Sequence, residues 1–323
     1  MENKRIIFFS EDKDISTVDV MQWCKIKGYD VCRINSDDKN LSIYISENDV
    51  EVTTSYDTFA INKNSTCWFR RAEMPLVFVK YKTKNLFQDN IDVFNFVEHK
   101  LTYNALKLWV KQHCKYSSDV LIEKFNKVDV LLKAQAIGIN VPDWIVTSQK
   151  QHALSFAEKY DFIACKPFSS FHFYKNNEIY KNLTEKLNYT DIQSFSLNFI
   201  PRFFQQYIEK KYELRSFYFH GTFYTYAIFS QNNAKTAIDF RNYDNDSPNR
   251  CIPFYLSKNY CNKLKLLMQQ LNLDTGSFDI LVDKNYYYFF LEVSPVGQFG
   301  YGSFMCNYNI EEFVANYLIN MNL

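Results

Sequence analysis

Apolar positions at the start of the chain come in short runs with strand character. Arg5–Phe9 predicts a strand, Thr17–Lys27 a helix stopped by Gly28, and Tyr29–Ile34 a second strand, with short strands through LSIYIS and TCWFRR. This is an open α/β unit. A polar stretch at Lys80–Asn90 leads into a helical stripe, Phe87, Ile91, Phe94, Val97, Leu101 and Leu108, at three-to-four-residue steps. The stripe predicts a long helix bridging two lobes, with a break inside it left open.

A second unit begins near Asn126. Asn126 suits an N-cap with Asp129 at N3, Val128, Leu131, Leu132 and Ile137 point inward, and Gly138 closes the helix. A strand, a helix at Gln149–Lys159 and a strand ending Ala164-Cys165-Lys166-Pro167 follow. From Phe203 the pattern turns to antiparallel hairpins: FFQQYI, YELRSFYF, a turn at His220-Gly221, and TFYTYAIF. A helix near Ser257–Leu271 and a last hairpin, GSFDILVDKNYYYFFLEVSP, complete the pattern. No internal repeat is present.

Composition narrows the function. The 323 residues hold 37 Lys+Arg against 36 Asp+Glu, a net charge of +1, with 47% hydrophobic residues. That excludes a disordered chain and a nucleic-acid coat. Only seven glycines occur, against roughly 7% in an ordinary chain. No GxGxxG or GxxxxGKS/T motif can be read, so neither a dinucleotide crevice nor a Walker-type loop is supported. Gly297, Gly300 and Gly302 cluster just after the last hairpin, so a glycine-rich phosphate cradle is expected in that stretch if anywhere. Eight cysteines without a CxxC pair, and no basic-then-apolar opening, read as reduced thiols of a cytoplasmic protein. No run approaches the roughly 18 to 20 apolar residues of a membrane span.

The last hairpin carries the clearest chemistry. With its turn between Asn285 and Tyr286, Asp279 lies opposite Glu292. One face is then apolar (Phe278, Ile280, Val282, Phe289, Leu291, Val293), and Asp279, Glu292 and Ser294 converge on the other. Facing carboxylates repel unless a positive group lies between them. Magnesium bound to a polyphosphate fits, and so does a bridging Arg or Lys. Lys166 ends an apolar strand before Pro167, which suits phosphate contact or a snorkelling side chain. Lys127, in a first helical turn, opposes the helix dipole unless an anion is near. Glu213 and Arg215 share a strand face: Arg215 suits a phosphate or acyl-phosphate oxygen, Glu213 a ribose hydroxyl or the arginine itself, and a cross-strand salt bridge remains open. Arg241 and Arg250 sit in polar loops. The histidines show no zinc spacing, and no Ser-His-Asp or Cys-His set can be assembled from the sequence.

Taken in order, NK…A…G…VP…T, ACKP, FQQYIEKKYELR, KTAIDFRNY and LEVSPVGQFG resemble the ATP-grasp ligase superfamily. Within it the chain is similar to the peptide maturases of grasp-with-spasm systems, relatives of microviridin and other graspetide ligases. The resemblance runs from about Asn126 to the C-terminus. It implies an α+β ATP-grasp fold with a pre-ATP-grasp lobe at residues 1–115, a central subdomain at 116–202 and a C-terminal subdomain at 203–323, with ATP between the last two. Lys127 and Lys166 match the nucleotide lysines. Gln206, Tyr207 and Ile208 match the adenine-reading linker, with Glu209 or Glu213 near the ribose. Arg215 and Arg241 match arginines holding phosphate and acyl phosphate, and Asp279 and Glu292 match magnesium ligands. Ser294 stands where the family has asparagine, which weakens that metal position.

The resemblance further implies ATP and Mg²⁺ as cofactors and a ribosomal precursor peptide, leader and core, as substrate. Its side chains would be joined by ω-ester or ω-amide bonds. A radical-SAM partner with a SPASM domain and a homodimer are implied too; nucleic acid and membrane are not. The alternatives are a non-catalytic nucleotide-gated peptide-binding protein and a ligase acting on small amino acids. The segment Lys166-Pro167-Phe168-Ser169-Ser170-Phe171 lacks the glycine of many ATP-grasp lids, which predicts a stiffer lid relying on serine hydroxyls and backbone amides.

Overall fold

A computed structural model of the chain describes residues 5–72, 88–118, 125–168, 172–175, 178–181 and 183–323. The first part holds β1 (Arg5–Ser10), α1 (Ile15–Ile26), β2 (Asp30–Asn35), β3 (Ser42–Ile45), β4 (Val50–Thr53), β5 (Thr58–Ile61), β6 (Thr66–Phe69), α2 (Gln88–His113) and β7 (Lys115–Ser117). Strands β2-β1-β6-β7 form a parallel sheet, and β3-β4-β5 a separate antiparallel one. The run Ile6-Ile7-Phe8-Phe9 is apolar throughout because both faces of β1 are covered. Ile6 and Phe8 pack with residues of α1 and of the last helix, while Ile7 and Phe9 pack with residues of α2 and the small sheet.

Helix α2 runs as one helix with no break, and among the described residues Tyr103, Leu106, Trp109 and Val110 pack it into the core of the N-terminal lobe. The anticipated stripe faces water instead: Phe94 is 62% and Leu101 57% exposed, and Val97 and Leu108 are exposed as well. The helix carries two apolar arcs, and periodicity alone does not say which one meets a core. Phe87 and the Ile91 side chain lie outside what is described.

The central part holds α3 (Lys127–Ala136), β8 (Trp144–Gln149), α4 (Lys150–Ala157), β9 (Ile163–Lys166), β10 (His172–Lys175), β11 (Glu178–Lys181), β12 (Glu185–Leu187), α5 (Tyr189–Gln193) and β13 (Asn198–Gln206). Its sheet runs β12-β9-β13-β8, with β10-β11 a separate hairpin. The FFQQYI strand thus pairs back onto β8 and β9 instead of opening the hairpins that follow. Ser169, Ser170 and Phe171 lie outside the described residues.

The remainder holds β14 (Lys210–Phe219), β15 (Thr222–Phe229), β16 (Arg250–Phe254), α6 (Lys258–Gln270), β17 (Thr275–Asp283), β18 (Tyr288–Ser294), α7 (Gly300–Cys306) and α8 (Ile310–Asn322). Its antiparallel sheet, β16-β15-β14-β17-β18, buries one face against α6 and α3. The last hairpin pairs Asp279 with Glu292 as expected, but a bulge follows at once and Ile280 pairs with Phe290. The extra residue reverses the faces beyond it. Phe290 therefore enters the core in place of Phe289, and Leu291 turns with Leu281 toward the opposite side, where both line a cleft.

One side-chain set that the sequence did not reveal joins the lobes. Ser117 Oγ lies 2.9 Å from His220 Nε2, Asp274 Oδ2 lies 3.2 Å from the same nitrogen, and Tyr317 OH lies 2.8 Å from Nδ1. A nucleophilic triad needs its serine and its carboxylate on opposite ring nitrogens. Here they share one, so the set pins β7 to the C-terminal sheet and does no covalent chemistry. No described helix is long and apolar enough to cross a membrane, and all eight cysteines are free thiols.

Candidate active site

A cleft of about 530 Å³ opens between the central sheet and the C-terminal sheet, and the residues that the resemblance assigns to nucleotide and metal gather in it, with one exception. Lys127, Lys166, Gln206, Tyr207, Ile208, Glu213, Arg215, Arg241, Asp279, Glu292 and Ser294 all line it. Glu209 does not. It is exposed and borders a separate hollow with Lys159–Phe162, because the turn after β13 directs it away.

The two hairpin carboxylates do not share one positive group; each has its own. Arg215 and Asp279 are directly paired across β14 and β17, and Arg215 Nη1 donates to Asp279 Oδ1 at 2.6 Å. Burial opposes the Arg215 charge, but Asp279, together with Tyr226 and Tyr243, outweighs it and raises the guanidinium pKa. Glu292 Oε2 meets Lys127 Nζ at 2.9 Å, and its Oε1 lies 3.9 Å from Arg241. Burial works against its ionisation, yet Lys127 and Lys166 overcome it and hold the Glu292 pKa down at about 2. Helix α3 makes this contact possible. Its N-cap Asn126 accepts from Val128 N at 2.8 Å, which places Lys127 at the first helical position, and Val130 and Leu131 seat the helix in the C-terminal core.

Lys166 ends β9 and donates to Gln205 Oε1 at 3.0 Å. Burial pushes its pKa down to about 8, with Glu292 acting in the opposite sense. Gln205 is fully buried, and its Nε2 has no hydrogen-bond partner. A buried donor without a partner, lining a cleft, is suited to an acceptor on a ligand. Sequence drew attention to Gln206; the signal for Gln205 was the strand alternation, which sets Phe203 and Gln205 on one face and Phe204 in the core of the central part.

Glu213 accepts from Lys210 Nζ at 2.6 Å and from Ser230 Oγ at 2.8 Å, so its partner is not Arg215. Arg241 is held by Asp239 through Nε at 2.9 Å and Nη2 at 2.7 Å. Burial opposes the Asp239 charge, but these bonds keep its carboxyl well below the usual range. Asp239 was not singled out by sequence, although DFR, a carboxylate two residues before an arginine, carries the local signal. Tyr226, Tyr243 and Tyr301 form an aromatic wall beside the arginines, with ring centroids 6.4 Å apart at each step.

The three clustered glycines do not form a phosphate cradle. A Cβ on Gly300 would meet Ser16 Oγ at 2.7 Å, one on Gly302 would run into the Tyr226 ring, and one on Gly297 would meet Thr275 Oγ1 at 2.7 Å. They permit close approach of protein to protein.

The donor set suits a hard divalent ion such as magnesium. Asp279 and Glu292 present carboxylate oxygens from adjacent strands, with the Ser294 hydroxyl two residues along. No group of three or more His, Cys, Asp or Glu among the described residues could hold an ion alone. An ion here would share its shell with ligand phosphate, as magnesium commonly does.

No family model matches the chain, and no curated protein matches it. Solved structures do. A RiPP-associated ATP-grasp ligase from Chryseobacterium gregarium, in complex with ADP and a leader and core peptide, superposes with a TM-score of 0.83 at 22% identity, over 98% of this chain and 97% of that one. The macrocyclase MdnC from Microcystis aeruginosa, bound with precursor peptide MdnA, gives 0.79 at 21% identity, over 98% and 99%. The ATP-grasp ligase PsnB, complexed with minimal precursor, Mg and ADP, gives 0.75 at 14% identity, over 100% and 98%. The chain has the ATP-grasp fold along its whole length, N-terminal lobe included.

Proposed function

We propose that this chain is an ATP-dependent ligase that modifies a ribosomally made precursor peptide, of the kind found in grasp-with-spasm systems. A side-chain carboxylate of Asp or Glu attacks the γ-phosphorus of ATP and ADP leaves. A Ser/Thr hydroxyl or a Lys amine then attacks the acyl carbon, inorganic phosphate leaves, and the nucleophile gives its proton to solvent. The product is an ω-ester or ω-amide crosslink. The observation that carries this reading is the convergence of Lys127, Lys166, Arg215 and Arg241 on two facing carboxylates at the end of the cleft.

Phosphoryl transfer asks mainly for positioning and charge neutralisation. Lys127 and Lys166 neutralise the polyphosphate, and the Gln206–Ile208 connection borders the base. Glu213, paired with Lys210, lies near the ribose. Arg215 and Arg241 are each fixed by a carboxylate, and so keep their forks in place for the acyl phosphate. Asp279 and Glu292, with Ser294 as a weaker donor, would hold Mg²⁺, which when bound screens phosphate charge. A serine hydroxyl reaches less far than an asparagine amide, which is consistent with one strong and one weak metal position.

Purified protein with Mg-ATP and its cognate precursor should release ADP and remove one water per bond from the peptide, read by a coupled ADP assay and mass spectrometry. Nucleotide binding without peptide-dependent ADP release would overturn the ligase reading, and turnover on free amino acids would replace it with a small-molecule ligase.

Lys166 supplies a pH signature. Phosphate favours its charged form, so above its free pKa of about 8 the protein must recover a proton to bind. ADP affinity without added metal is therefore expected to fall about five-fold from pH 8 to pH 9. Calorimetric titration across that range checks it. Lys166→Met should bind more weakly with a flat profile, and a flat wild-type profile would remove Lys166 from the phosphate.

A further inference from the structure

We infer that Arg70, on the N-terminal lobe, is a positioning residue for Arg215 and acts through the loop that follows β18. Arg70 stands just after β6, with its backbone N–H bonded to Phe9 O at 2.9 Å and its side chain buried. One nitrogen, Nη1, donates to Val296 O at 2.9 Å and to Gly297 O at 2.8 Å. Nε faces Asp14 Oδ2 at 3.0 Å, and the guanidinium lies over the Phe299 ring, 4.5 Å from its centroid. A single cation thus holds residues 296, 297 and 299 of one loop.

The residue enclosed by those contacts is Gln298. Its Oε1 accepts from Arg215 Nη2 at 3.1 Å, and its carbonyl accepts from Ser277 Oγ at 2.8 Å. Asp279 and Gln298 together occupy both terminal nitrogens of Arg215, so the direction of that fork depends on where Gln298 stands. The loop has little room to find another path. Gly297 has φ +66°, and a Cβ there would also meet Phe217 Cε2 at 2.9 Å. Arg70 is itself oriented, because Asp14 accepts from Thr17 Oγ1 at 2.7 Å on the same carboxylate oxygen that meets Nε. The chain Asp14, Arg70, loop, Gln298, Arg215 runs from the N-terminal lobe to the cleft.

This inference rests on the ligase reading, which gives Arg215 its task. Lysine at position 70 keeps the charge but gathers its donors on one nitrogen, so it cannot span Asp14 and both carbonyls. Arg70→Lys is expected to lower kcat for peptide-dependent ADP release about ten-fold while the ADP Kd stays within about two-fold of wild type. Gln298→Ala should do the same, and the double variant should be no worse than either single one, since both break the same chain. In the nucleotide-free protein, Arg70→Lys should speed hydrogen exchange across residues 296–301.

Multiplying effects in the double variant would overturn the inference. So would a purely structural outcome, in which the melting temperature drops but kcat per folded molecule holds. A wild-type protein with no peptide-dependent ADP release would instead overturn the ligase reading. In that case faster exchange at 296–301 in Arg70→Lys still upholds the grip of Arg70 on the loop, and unchanged exchange refutes it.

Discussion

Arg215→Met is expected to lower peptide-dependent ADP release by about 10²- to 10³-fold, the size of effect that follows from losing one fixed donor to developing charge. It should also cost about 3–5 kcal/mol of stability, because it leaves the Asp279 carboxylate buried without its cation. Both partners of the pair are nearly enclosed, and Glu292 stands on the next strand opposite Asp279. The stability loss has a second test. Adding Asp279→Asn removes the stranded charge, so the double variant should recover most of the melting temperature without recovering turnover. Denaturant unfolding and the ADP assay, run on the same three proteins, separate the two effects. Turnover restored in the double variant would mean that Arg215 serves only to neutralise Asp279.

Gly302→Ala is expected to destabilise the protein by about 2–3 kcal/mol, in the range of an overpacked core. The glycine sits in α7, and the added methyl carbon would come within 2.7 Å of Tyr226 Cδ1 and closer still to the neighbouring ring carbon. Tyr226 cannot easily retreat. It is buried, pairs across strands with Arg215, and packs with Ile228 and Phe240. The strain should fall on α7 and on the cleft wall together. Tyr226→Ala in the Gly302→Ala background should return part of the loss, so the two changes should be less than additive in thermal unfolding. Additive losses would show that the ring is not what the methyl meets.

What could be read from sequence followed the range of each signal. Alternation and the turn residues of the last hairpin placed Asp279 opposite Glu292, a contact between strands joined by a short turn. They did not show the bulge, because no residue in FFLEVS marks it; the extra residue is defined only against the partner strand. The cations on the two carboxylates were also hidden as partners. Arg215 is 64 residues from Asp279 and Lys127 is further still from Glu292, and local pattern carries no information on such pairs. Gln205 was visible in principle, as a polar residue on the pocket face of an apolar strand. The α2 stripe shows the converse, since periodicity found an apolar arc and assigned it to the wrong environment. The order of weak motifs reached the ATP-grasp fold because it sampled five separated segments at once.

The ion pairs of the cleft have a consequence for how it fills. Five cationic side chains and four carboxylates line it, and all four carboxylates already hold a cation at 2.9 Å or less. The resting cleft is thus an internal salt with a small positive surplus. Bare magnesium would have to displace lysine or arginine to reach a carboxylate. On the proposed reading, a metal polyphosphate would do so by exchange, its oxygens answering the cations while the carboxylates turn to the metal. Ions would then enter and leave together, and the cleft would be spared a large unbalanced charge in either state.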